Sequence, residues 1–152
     1  MTELADLYQE VILDHNRNPR NRGPMPDADR EAIGNNPLCG DRITVRVKVE
    51  NGSVRDVKFE GQGCAISTAS ASLMTQAVIG KPISEVRRLF ERFRQAMAND
   101  PLALEDVSSG QPELKALGGV WEFPIRVKCA TLPWHTLDAA LRGEAETSTE
   151  EE

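Results

Sequence analysis

The chain has 152 residues, of which 39% are hydrophobic and 28% charged, and a formal net charge of −6. That length suits one compact domain with a real core, and the negative balance argues against a nucleic-acid binder, whose phosphate contacts need clustered Lys and Arg. No apolar run approaches the roughly 20 residues of a membrane helix, and the start lacks a basic-then-apolar leader. The three cysteines, an odd number, suit reduced thiols better than a disulfide framework, so a cytoplasmic protein is expected.

In chain order, Leu4, Leu7, Tyr8, Val11 and Ile12 recur at three- and four-residue steps, predicting an amphipathic helix that ends near Asp14 with His15 beside its end. Residues 16–37 are crowded with Asn, Pro, Gly and Arg and read as a long surface loop. Strict alternation over 43–49, the turn dipeptide Asn51-Gly52 and renewed alternation over 54–59 predict a β-hairpin with one face packed on helices. Gly61-Gln-Gly63 then reads as a bend delivering Cys64 at the end of a short third strand. Small apolar residues over 65–79 predict a tightly packed helix stopped by Gly80-Lys-Pro82, and Ser84 caps another helix to about Ala98. A loop over 99–112 and a short helix over 113–117 follow, ended by Gly118-Gly119. The last helix begins near Pro124 or Ile125 and runs through Leu141, with Pro133 perturbing its early turns. Residues 143–152 are acidic, contain Ser and Thr, and read as a disordered tail beyond a single domain spanning 1–142.

The chemistry points to the cysteines. Cys39, Cys64 and Cys129 are scattered rather than paired as knuckles, so only the fold could bring them together. Each nevertheless falls at a change of chain direction, where side chains converge at a sheet edge, rather than inside a periodic apolar pattern where buried structural cysteines are commoner. Asp41, two residues after Cys39, is the natural fourth ligand for a borderline-soft ion such as Zn²⁺, and its other reading is a turn residue before a strand. Arg126 and Lys128 either support the charge of such a site or belong to a solvated helix face. His15 is expected to complement a helix dipole, and His135, about 240° round a helix from Cys129, to point away from it. Trp121 and Trp134 read as core or docking surface.

Three motifs carry a resemblance. Asn36-Pro-Leu-Cys-Gly-Asp-Arg-Ile43, Gly61-Gln-Gly-Cys-Ala-Ile-Ser67 and Arg126-Val-Lys-Cys-Ala-Thr-Leu-Pro-Trp-His135 resemble the SufU proteins of the IscU-like scaffold superfamily, as do Tyr8-Gln-Glu-Val-Ile-Leu-Asp-His15 and Asn18-Pro-Arg-Asn21. The resemblance implies an α+β fold, a small three-stranded antiparallel sheet covered by helices on one side. It also implies metal ligands at Cys39, Asp41, Cys64 and Cys129 at one end of that sheet. IscU-type members hold nascent [2Fe–2S] clusters. SufU-type members bind zinc and take persulfide sulfur from a pyridoxal-phosphate cysteine desulfurase of the SufS type. Two departures favour the SufU side: Lys128 stands where IscU-type chains carry His, and the stretch from about Phe90 to Trp121 is longer than its IscU counterpart.

The expected function is therefore zinc-dependent sulfur acceptance from a cysteine desulfurase, feeding downstream cluster-assembly proteins. The alternatives are a scaffold for a transient [2Fe–2S] cluster and a purely structural zinc site. A fully ligated ion would block the attacking thiolate, so one ligand must release. The resemblance implies Cys39, on a Gly/Pro-rich loop that moves more readily than a helix-borne ligand.

Overall fold

The strongest sequence signal, the alternation around Asn51-Gly52, becomes the centre of the sheet in the computed structural model, which describes residues 3–38 and 40–149. Strands β2 (Asp41–Glu50) and β3 (Ser53–Gln62) form an antiparallel hairpin in which Val45 faces Phe59 and Val47 faces Val57. The two turn residues both have positive φ, 53° at Asn51 and 77° at Gly52, the geometry that matches the twist of hairpin strands. Along β2 the residues Asp41, Ile43, Val45 and Val47 share the buried face. On the opposite face Arg46 bridges Glu31 and Glu60, each at 2.6 Å.

Two further strands correct the three-strand expectation. Arg30–Asn36, read from sequence as part of a loop, is β1, antiparallel to β2 with Ala32 opposite Val45 and Asn36 opposite Asp41. Its Gly and paired Asn residues have poor strand propensity, but backbone pairing and the tight seating of a helix against Gly34 override that preference. A Cβ at Gly34 would lie 1.9 Å from Thr136 Oγ1. Glu146–Ser148 is β4, parallel to β1, so the sheet order is β3-β2-β1-β4. The expectation of a disordered tail over 143–152 is thus corrected as far as Thr149. A strand edge needs backbone partners, which a polar Ser/Thr segment supplies without any apolar side chain. Residues 150–152 lie outside the described residues.

The helices cover the sheet's buried face. α1 (Glu3–Arg17) and α2 (Ala65–Val78) pack on each other, and α5 (Pro124–Leu141) runs between α2 and strands β1 and β2. α2 is buried through Ala69, Ser70, Ala71 and Ser72, small residues that let neighbours approach closely. Their hydroxyls are bonded inside: Ser70 Oγ donates to the Ala130 carbonyl at 2.6 Å and accepts from Trp134 Nε1 at 3.1 Å. α3 (Ile83–Met97) seats Phe93 flat on Trp134, with ring centroids 4.1 Å apart. The expected loop after it contains a further helix, α4 (Pro101–Val107), capped by Asp100, whose carboxylate accepts from the amides of Leu102 and Ala103. The expected stop at Gly118-Gly119 does not occur, because a 3₁₀ helix spans Pro112–Glu122. Pro133 lies mid-helix in α5 and is buried, and packing on both sides keeps the helix continuous across it. The side chain of Trp121 lies outside the described residues. No helix among the described residues is long and apolar enough to cross a membrane.

Candidate metal centre

Three chain segments converge where β2 begins. Asp41 is the first residue of β2 and shares the parity of Ile43, Val45 and Val47, so its carboxylate projects onto the helix-covered face and is only 6% exposed. Cys64 is the N-cap of α2, its sulfur accepting the Ser67 amide at 3.5 Å. Cys129 is buried in the early turns of α5. One ligand atom from each of Asp41, Cys64 and Cys129 lies within 4.8 Å of the others. The structure therefore brings these three expected ligands together. Cys39 lies outside the described residues, and its chain neighbour Gly40 adopts a φ of 79°.

The carboxylate does two things. Asp41 Oδ1 accepts the Cys64 amide at 3.1 Å, tying the start of β2 to the start of α2. Asp41 Oδ2 is buried with no hydrogen-bond partner among the described residues. A buried, unpartnered acceptor beside two thiols is costly unless something positive completes it. Two thiol sulfurs and one carboxylate oxygen are the donor set that a zinc ion accepts, so the residues present fit a metal.

The glycine-rich bend explains how the chain reaches this point. Gly61 has a φ of 143°, and a Cβ there would lie 2.2 Å from the Arg42 carbonyl oxygen and 2.9 Å from the Ile43 Cα. Only glycine lets the backbone pass there, and its passage delivers Cys64 beside Asp41.

Sequence reasoning missed two residues. Asn36, fully buried opposite Asp41 in the β1–β2 ladder, donates from Nδ2 to Cys129 Sγ at 3.8 Å. Thr149 donates from Oγ1 to Asn36 Oδ1 at 3.2 Å. Asn36 stands three residues before Cys39 in a quoted motif, yet as part of a supposed loop it gave no sign of being buried. Nothing in an acidic tail marks Thr149 in advance.

The other expected residues fall as follows. Arg126 is exposed and Lys128 partly exposed on the first turns of α5, upstream of Cys129. His135 packs its ring edge-on to Phe90, with centroids 5.3 Å apart. His15 lies in the last turn of α1, as expected for a residue at a helix C-terminus. It is fully buried, with Nδ1 2.7 Å from Ser72 Oγ and Nε2 3.4 Å from Glu113 Oε1, the latter without hydrogen-bond geometry. Burial, reinforced by the nearby Arg20 cation, lowers its pKa below the ordinary value of about 6.5. The unfolded chain therefore takes up this proton first as pH falls. Stability should hold above about pH 6.5 and fall below it, by up to about 1.4 kcal/mol per pH unit, until the folded state also protonates. Urea denaturation of metal-free protein across pH 5–8 should show that slope, and His15→Gln should flatten it.

Together these features define a class: a small α+β domain carrying a thiolate–carboxylate metal centre where a sheet strand and two helices begin. The chain belongs to the NifU-like N-terminal domain family, whose model matches residues 7–130. It is 44% identical over 141 residues to the zinc-dependent sulfurtransferase SufU of Bacillus subtilis, covering 93% of each chain. It is 38% identical over 145 residues to the iron–sulfur cluster assembly scaffold protein IscU of Streptococcus pyogenes, covering 95% of this chain and 89% of the relative. Among solved structures, a candidate iron–sulfur cluster assembly scaffold protein for the SUF system from Fervidobacterium islandicum superposes with a TM-score of 0.78 at 35% identity, covering 87% of this chain and 94% of that one.

Proposed function

We propose that the chain is a zinc-dependent sulfur acceptor that takes persulfide sulfur from a pyridoxal-phosphate cysteine desulfurase for iron–sulfur cluster assembly in the cytoplasm. The observation that carries this reading is the convergence of Asp41, Cys64 and Cys129 within 4.8 Å around a buried carboxylate oxygen that lacks a partner. The extensive identity to a protein named a zinc-dependent sulfurtransferase supports both the metal and the transfer. Cys39, two residues from Asp41, completes the set, and Cys39, Asp41, Cys64 and Cys129 would hold the ion. Zinc bound there would keep its thiols deprotonated and protect them from oxidation.

The transfer itself belongs to Cys39. Its thiolate attacks the terminal sulfur of the donor's cysteine persulfide, a new S–S bond forms on Cys39, and the donor's own S–S bond breaks with its cysteine leaving as a thiolate. No external oxidant is needed, because one persulfide replaces another. Cys64 caps α2 and Cys129 is buried in α5, so both stay anchored by their helices while Cys39 reacts. Arg126 and Lys128, just upstream of Cys129, would steady the added negative charge.

A donor protein needs a surface to dock on. Leu38, beside Cys39, is 53% exposed, and Phe123 and Ile125 at the start of α5 are 57% and 54% exposed. Large apolar side chains left in water suit a partner interface.

Purification under anaerobic conditions tests this reading against the scaffold. Colourless protein with stoichiometric zinc that raises desulfurase turnover supports sulfur acceptance. Brown protein with visible absorbance and no stimulation would favour a [2Fe–2S] scaffold instead. A folded zinc protein without effect on turnover would leave only a structural site.

A further inference from the structure

We propose that Asn36 and Thr149 form a clamp that orients the Cys129 sulfur, making the C-terminal strand a working part of the metal centre; this rests on the metal-site reading above.

The chain of bonds has one orientation. The Leu38 backbone amide donates to Asn36 Oδ1 at 3.2 Å, and a backbone N–H can only donate. That bond fixes which end of the Asn36 amide is oxygen. The nitrogen end must then face Cys129, and it does, with Nδ2 3.8 Å from Sγ. Thr149 adds its hydroxyl to the same oxygen at 3.2 Å. Asn36 is fully buried and Thr149 only 5% exposed, so water does not substitute easily for either bond.

β4 would stay in place without the hydroxyl. The Ile33 amide donates to the Ala145 carbonyl at 2.8 Å, and the Thr149 amide to the Asn35 carbonyl at 3.0 Å. These backbone bonds already align the strand with β1, so the Thr149 hydroxyl on Asn36 Oδ1 is not what holds the strand in place. An N–H donated to a ligating sulfur fixes its direction and moderates its charge, and loss of such support typically costs roughly 10–100-fold in metal affinity. Asn36 and Thr149 are thus positioning residues that act through Cys129.

The test measures zinc affinity of the full chain by competition with a chromophoric chelator, together with the sulfur-to-metal charge-transfer band of the cobalt-substituted protein. Thr149→Val keeps shape and backbone bonds but removes the hydroxyl. It should weaken zinc severalfold and shift the cobalt band, while the metal-free variant melts with the wild type. Asn36→Asp, which replaces the amide donor with an acceptor, should weaken zinc about 10–100-fold. Thr149→Ser should restore wild-type affinity and spectrum. Wild-type zinc affinity and an unmoved cobalt band in both Thr149→Val and Asn36→Asp would overturn the clamp alone. A wild-type chain that binds no zinc would instead overturn the metal-site reading and the clamp with it.

Discussion

Cys39→Ala should abolish stimulation of the desulfurase, leaving turnover at the rate of the desulfurase alone, while the protein stays folded and retains zinc with reduced affinity. The reason is chemical. Alanine has no sulfur to attack the donor persulfide, whereas Asp41, Cys64 and Cys129 still offer three donors within 4.8 Å. A zinc site with three protein ligands and one open position is stable in many enzymes, so metal retention is expected. Intact-mass measurement after reaction with the loaded desulfurase should show one added sulfur on the wild type and none on Cys39→Ala. Full stimulation by the variant would remove Cys39 from the transfer step and end the acceptor mechanism in this form.

The second large effect concerns Asp41. For a wild-type chain with free zinc near 1,000 times its dissociation constant, binding adds about 4 kcal/mol of stability, or roughly 10 °C in melting temperature for a domain of this size. Asp41→Ala should lose most of that rise. Without metal the substitution removes a buried oxygen that has no partner, but it also strands the Cys64 amide that Oδ1 accepts at 3.1 Å. Those two effects oppose each other, so the metal-free variant should melt near the metal-free wild type. The difference between wild type and variant is then specific to zinc. Calorimetry with chelator and with added zinc separates the two states, and an undiminished zinc-dependent rise in Asp41→Ala would show that the carboxylate is not a ligand.

These two results would also distinguish roles that the fold mixes together. Asp41 belongs to β2 and Cys64 to the N-terminus of α2, both held by ladder and helix bonds. Cys39 stands in the sequence between Asn36 and Asp41, which pair in the β1–β2 ladder. In the proposed transfer the anchored donors would hold the metal while Cys39 supplies the attacking thiol.

What the sequence determined by itself was periodic or local. The hairpin around Asn51-Gly52 was legible because alternation and a turn dipeptide both act over a few residues, and α2 was legible from its small apolar run ending at Gly80. The motifs around Asp41, Cys64 and Cys129 also pointed to residues that the fold brings within 4.8 Å of one another. Only the tertiary structure decided that β1 is a strand, because Gly34 and the two asparagines are chosen for the close approach of α5 and for a buried amide rather than for strand propensity. It alone decided that His15 is buried against Ser72 and Glu113, and that the acidic tail returns to pair with β1 and set Thr149 on Asn36. Local preferences are written in neighbouring residues, whereas these contacts join positions from 57 to 113 residues apart, and only the folded chain brings them within bonding distance.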